Sequence, residues 1–266
     1  MTRNEWTKCD DPSPMLEFLR TSGNDRKLLL FAIACCRRIW PHIDRPSARQ
    51  LVELCEQYCD GLVGRPDLEA TGWQVGELLE HSGCRFLANK EAWLNPANGD
   101  DSLIGFIGLL DTLVSLGLTG DITAGDMAIA AVWSLVFFPL CTAEAARTVK
   151  GVANLGSWQG DFSFWDALIR SEKEFQCRLI RDLLGNPFRK VRVKKSWFVP
   201  EVVTLAQSIY EKRTFEDISK LGDALDAAGC DNAEILAHCR AGSQHVRGCW
   251  VVDLLLGKEQ FTGDEK

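Results

Sequence analysis

The sequence predicts an all-α protein, a multi-helix globular bundle built as one compact domain or as two closely packed helical halves. Three observations carry the prediction. Apolar residues recur at helical spacing along nearly the whole chain, helix caps and stops bracket those runs, and no strand-rich section or internal repeat interrupts them. The one alternating stretch, "RKVRV" at 189–193, is a candidate short strand. Of the 266 residues 46% are apolar and 25% charged, a balance that supports a real core.

The elements follow in order. "NDRKLLLFAIACCRRIWP" (24–41) offers a cap at Asn24 or Asp25, an unbroken apolar run from Leu28 to Cys36, and Pro41 as a stop. Such a run fits a helix buried on more than one side. "SARQLVELCEQYCDG" (47–61) has Ser47 as a cap candidate, one stripe of Leu51, Leu54, Cys55, Tyr58 and Cys59, and Gly61 to close it. Shorter helical pieces are expected over 71–96. The most apolar region follows: "SLIGFIGLLDTLVSLGL" (102–118) and "DMAIAAVWSLVFFPLC" (126–141) read as a buried helical hairpin. A membrane hairpin is disfavoured, because a span needs about 20 apolar residues and flanking positive charge. These runs are shorter, and Asp111 and Pro139 break them.

"NLGSWQGDF" (154–162) is a candidate boundary, dividing an N-terminal half, 1–153 with the hairpin, from a C-terminal half, 154–266. Beyond it a helix runs from about Phe164 to Gly185, a plausible C-cap. Pro200 opens another helix at its first turn. "FEDISKLGDALDAAG" forms the next, and 230–257 supplies the last two.

Charge and cysteine usage narrow the function. The net charge of −7 argues against wholesale nucleic-acid binding, which favours a basic footprint. "MTRNEWTKCDDPSP" lacks the apolar run of a secretion signal, so the expected compartment is the reducing cytoplasm. An odd count of 11 cysteines fits free thiols used as small apolar core residues. No phosphate loop, dinucleotide fingerprint, HExxH, GxSxG or CxxC occurs.

The densest chemistry lies in "CDNAEILAHCRAGSQHVRGCWVVD" (230–253). Thiolates and imidazoles are the ligands zinc prefers, and a site of Cys230, Cys239, His245 and Cys249 is conceivable. The spacing does not form the two tight knuckles of common structural sites. His238 and Cys239 are neighbours about 100° apart on a helix, so only one readily faces a given ion. Helical phase places Ile235, Leu236 and Cys239 inward and His238 outward, and it puts Cys249 and Trp250 in an apolar helix beginning near His245. Core packing therefore accounts for both cysteines. The second helix is too apolar for a helix-turn-helix reader.

Asp253 is a carboxylate inside that apolar helix. A buried charge needs a partner, with Arg247 or the Arg37/Arg38 pair as candidates; a general acid or base is the functional alternative. "CCRR" (35–38) cannot form an unstrained disulfide between neighbours on a helix, and its apolar setting marks both thiols as structural. Arg189, Lys190, Arg192, Lys194 and Lys195, flanked by Phe188, Trp197 and Phe198, suit anion or nucleic-acid contact. A solvated loop or a lysine-guarded edge strand explains them equally well.

Three blocks together carry a resemblance. "EWTKCDDPSPMLEFLRTSGNDRKLLLFAIACCRRIW", "LIRDLLGNPFRKV" (179–191) and "LGDALDAAGCDNAEILAHCRAGSQHVRGCWVVDLLLGKE" resemble a family of helical bacterial proteins of planctomycete type, over roughly a third of the chain. The resemblance implies a helical fold and an intracellular bacterial origin. It attaches no activity and no ligand residues.

The sequence thus points first to a non-enzymatic helical module that docks or regulates another protein, with no catalytic residue and no cofactor. The alternative is zinc binding or thiol-dependent activity at the C-terminal Cys/His cluster. The third reading is anion or nucleic-acid contact through 189–195.

Overall fold

A computed structural model describes residues 1–80, 124–137, 162–189 and 191–258, which form eleven α-helices and no β-strand. In chain order these are α1 (Arg3–Lys8), α2 (Pro12–Thr21), α3 (Asp25–Arg38), α4 (Pro46–Cys59), α5 (Arg65–Glu80), α6 (Ala124–Phe137) and α7 (Phe162–Leu184). Then come α8 (Pro200–Lys212), α9 (Ile218–Ala227), α10 (Ala233–Arg240) and α11 (Trp250–Leu255). The all-α expectation holds.

Two compact units emerge, but they are not consecutive halves divided at 153/154. One combines Met1–Lys27 with Cys177–Lys266; the other is Leu28–Gln176. The reason lies in long-range polar contacts that no composition shift announces. Within the first unit Trp6 Nε1 donates to the Gly185 carbonyl at 3.1 Å, and Lys27 Nζ reaches Asp253 at 2.8 Å.

In the first unit, α1 starts with a capping box in which Thr2 and Glu5 satisfy each other's backbone N–H groups. Asp11 caps α2 ahead of Pro12. Asn24 Oδ1 accepts the Lys27 N–H at 3.1 Å and so caps α3. α8 packs on α9 and α11, α9 on α10, and α10 on α11. Their core includes Trp197, Ile209, Leu221, Ile235, Cys239 and Trp250. α9 and α10 approach most closely at Gly222, where an added Cβ would lie 2.7 Å from Cys239 Cβ. Gly222→Ala should therefore destabilise the unit by about 1–3 kcal/mol, the usual cost of overpacking, read as a lower denaturant midpoint at unchanged slope.

The second unit packs α4 on α5 and α6, and α5 on α6. All of Leu29–Cys36 in α3 is buried, as is Cys55. The arginines of "CCRR" each grip a buried glutamate with two hydrogen bonds: Arg37 to Glu56 at 3.0 and 2.9 Å, Arg38 to Glu172 at 3.0 and 2.8 Å. Each also covers a ring, Arg37 over Trp40 at 4.1 Å and Arg38 over Phe175 at 3.9 Å. These two are therefore already engaged and do not serve Asp253. Burial, then the neighbouring Cys35, pushes the Cys36 thiol well above its ordinary value, in keeping with a packing role.

Several boundaries differ from the sequence expectation. α4 begins at Pro46 with Arg45 as N-cap, because proline is already set for the first helical position; Ser47 lies inside the helix. α5 starts at Arg65, ahead of the pieces expected from 71. Of the hairpin expected over 102–141, only α6 falls among the described residues, and its Ala128–Trp133 are buried; the rest lies outside them. Among the described residues no helix is long and apolar enough to cross a membrane. The segment 191–194 is irregular rather than a strand and leads into a 3₁₀ turn at Lys195–Trp197.

Candidate metal centre

The final helical pair differs most from expectation, and the difference builds a site. α10 runs from its Asn232 cap to Arg240, but the next helix does not begin near His245. Residues 241–249 form a loop, with Gly242 and Gly248 at positive φ, +61° and +90°, a backbone that glycine adopts without strain. Only at Cys249, the N-cap, does α11 start. His245 and Cys249 therefore do not meet as helical neighbours four residues apart. The loop folds them back over the end of α10.

There they join two residues not included in the sequence-derived ligand set. Asp182 of α7, His238 of α10, His245 and Cys249 each offer one donor atom, and these atoms all lie within 4.8 Å of one another. His245 Nδ1 donates to Asp182 Oδ1 at 2.6 Å, and His238 Nε2 lies 3.1 Å from the same oxygen. Cys249 Sγ is 3.2 Å from His238 Nε2 and 3.9 Å from His245 Nδ1. Asp182, His245 and Cys249 are buried, while the His238 side chain keeps 17% of its exposure.

The surroundings hold this arrangement. Asp182 Oδ2 accepts the Val246 N–H at 2.9 Å, which turns Oδ1 toward the histidines. The two imidazoles meet edge to face at 4.8 Å, and His238 packs against Trp250 at 5.2 Å. Trp250 in turn lies against Gly185, where a Cβ would approach its ring to 3.0 Å. Beside the group, Ser243, Gln244 and His245 line a surface cleft.

The electrostatics are asymmetric. Burial pushes the Asp182 carboxyl up, but hydrogen bonds from His238 and His245 and their charges outweigh it and hold it below its ordinary value. Cys249 goes the other way: burial, reinforced by the Asp182 charge, raises its thiol well above the ordinary value. A buried neutral thiol is a poor nucleophile. A catalytic relay is disfavoured by geometry too, since it runs thiol to one imidazole nitrogen and carboxylate to the other. Here a single nitrogen of each ring faces both partners.

The other sequence-derived candidates lie apart from this group. Cys230 and Cys239 are buried but do not belong to it, and burial raises the Cys239 thiol to about 12. Among the described residues all cysteines are free. His238, expected to point outward, is covered because the chain turns back over the end of α10. Asp182 carried only a weak signal, a carboxylate on a helix next to Arg181 in "RLIRDLL", unlike Asp253 within the apolar "WVVDLLL".

Asp253 is fully buried, and its partners are Arg26 at 2.6 Å and Lys27 at 2.8 Å. Arg247 stands instead over the Tyr210 ring at 4.2 Å. In the basic segment, Arg189 pairs with Glu234 at 3.4 Å and Lys194 pairs with Asp231, so its own acidic neighbours take up part of its charge. Arg192 and Lys195 are exposed, and Lys190 lies outside the described residues.

Comparison with known proteins finds no matching family model, no similar curated protein and no similar solved structure.

Proposed function

We propose that the first unit is a zinc-binding, non-catalytic helical module, with the ion held by Asp182 Oδ1, His238 Nε2, His245 Nδ1 and Cys249 Sγ. The observation that carries the reading is the convergence of these four donor atoms within 4.8 Å. Tetrahedral zinc, with bonds of about 2.0–2.3 Å, separates its ligand atoms by about 3.3–3.6 Å. The separations of 2.6, 3.1, 3.2 and 3.9 Å straddle that range and no pair exceeds 4.8 Å, so closing on the ion takes shifts of up to about 1 Å. One thiolate, two imidazoles and one carboxylate suit a borderline ion, whereas magnesium and calcium favour oxygen alone. The dication would also reverse the penalty on Cys249, because coordination deprotonates a thiol outright.

Four protein ligands fill a tetrahedron and leave no position for substrate, which favours a structural role. The ion would join α7, α10 and the 241–249 loop. This reading combines the first two sequence expectations, a non-enzymatic module and a metal at the C-terminal Cys/His cluster, with a different ligand set. Elemental analysis of purified protein tests it. One zinc per chain is expected, with a melting temperature that falls on chelation and returns with zinc. At zinc 1,000-fold above its dissociation constant, linkage predicts a stabilisation of about 4 kcal/mol. A protein that takes up no stoichiometric zinc, and whose melting is indifferent to chelator, would refute it.

A further inference from the structure

We infer that ion binding and the docking of residues 1–27 form one coupled equilibrium, with Lys27 as a positioning residue for the metal centre. The inference rests on the zinc reading above and concerns how that site is held. Residues 1–27 touch the segments that carry two of the four ligands, and they do so immediately beside those ligands.

The first anchor adjoins Asp182. Its neighbour Arg181 donates to the Trp6 carbonyl at 2.8 and 3.2 Å and to the Cys9 carbonyl at 2.5 Å. Three residues on, the Gly185 carbonyl accepts from Trp6 Nε1 at 3.1 Å, and Trp6 itself is 2% exposed. The last turn of α7 is therefore held from both sides of Asp182.

The second anchor adjoins Cys249. Lys27 Nζ, itself buried, donates to the Gly248 carbonyl at 2.7 Å and to Asp253 Oδ2 at 2.8 Å. Arg26 Nη1 reaches the same oxygen at 2.6 Å. The Asp253 N–H closes back onto the Cys249 carbonyl at 2.9 Å. Lys27 thus sits on the peptide that links Gly248, at φ +90°, to the ligand cysteine.

The physics is that of preorganisation. A metal site needs its donor atoms held within about 0.5 Å, and groups behind the ligands set that precision. Removing such a group typically costs about 10–100-fold in metal affinity. Coupling of this kind is reciprocal: whatever the docked segment adds to ion affinity, the ion adds to docking.

Two measurements on the full chain test this. The first titrates cobalt(II) into the wild type and Lys27→Met, following the sulfur-to-cobalt absorption; Arg26 remains to neutralise Asp253 in the variant. The variant should bind about 10–100-fold more weakly, with altered ligand-field bands. The second follows amide exchange of residues 3–21 in the wild type with and without saturating zinc. Exchange should slow with zinc, and α5 in the other unit serves as the control. If the wild type binds cobalt and Lys27→Met matches it in affinity and spectrum, or if exchange over 3–21 ignores zinc, the coupling is wrong and the zinc reading stands. If the wild type binds neither ion, both fall.

Discussion

Asp253→Ala is expected to lower the unfolding free energy by about 3–5 kcal/mol, the usual cost of removing one partner from a buried charge set. The Asp253 side chain is fully buried and neutralises Arg26 and Lys27, whose side chains are 7% and 4% exposed. Alanine would remove the carboxylate that Arg26 and Lys27 share in a low-dielectric interior, beside the Arg26–Tyr210 contact at 3.4 Å. Asp223→Ala is the control. Asp223 also pairs with an arginine, Arg240, at 3.2 Å, but it is 73% exposed. Its loss should stay within about 0.5 kcal/mol, because solvent screens an exposed pair. Urea unfolding of the two variants decides the matter: equal effects would mean that the Arg26–Asp253–Lys27 set does not stabilise the fold as a buried network.

Cys249→Ser is expected to abolish tight zinc binding, with a loss of affinity beyond about 100-fold, since outer-shell changes alone reach that figure. Serine is close to cysteine in shape, so packing around the centre is nearly preserved and the change isolates the ligand atom. A serine hydroxyl does not ionise as a soft donor for zinc. If Cys249 were only core filler, zinc content would be unaffected and the variant would show just the modest penalty of burying a hydroxyl, about 1–3 kcal/mol. Cys239→Ser supplies the contrast, because Cys239 is equally buried yet outside the ligand group. It should lose stability and keep its zinc. The pattern of metal content across these two variants separates ligand from filler better than either stability measurement.

Much of the fold was legible in the chain itself. The Leu28–Cys36 run, Asn24 as a cap, Pro200 at a helix start and Gly185 at a helix end are local signals, and each sits where helical geometry puts it. The site was legible only in part. His245 and Cys249 attracted notice because Cys and His are sparse elsewhere in the C-terminal region. Helical phase within "NAEILAHCR" placed His238 outward, whereas its side chain is 17% exposed and lies beside Asp182 and Cys249. With the helix starting at Trp250, the loop before it covers the face of α10 that phase alone leaves open to water.

The sequence by itself determined the class of fold, the identity of most helices, and the fact that a carboxylate lies within an apolar helix at Asp253. Periodicity, capping and charge within a helix depend on neighbours three or four residues away, so they can be read along the chain. Only the tertiary structure decided which ionisable groups meet. Asp182 reaches His245 across 63 positions, and Lys27 reaches Asp253 across 226. Such pairings are chosen by the cost of burying a charge unpaired, and the chain must fold before that cost selects the partners.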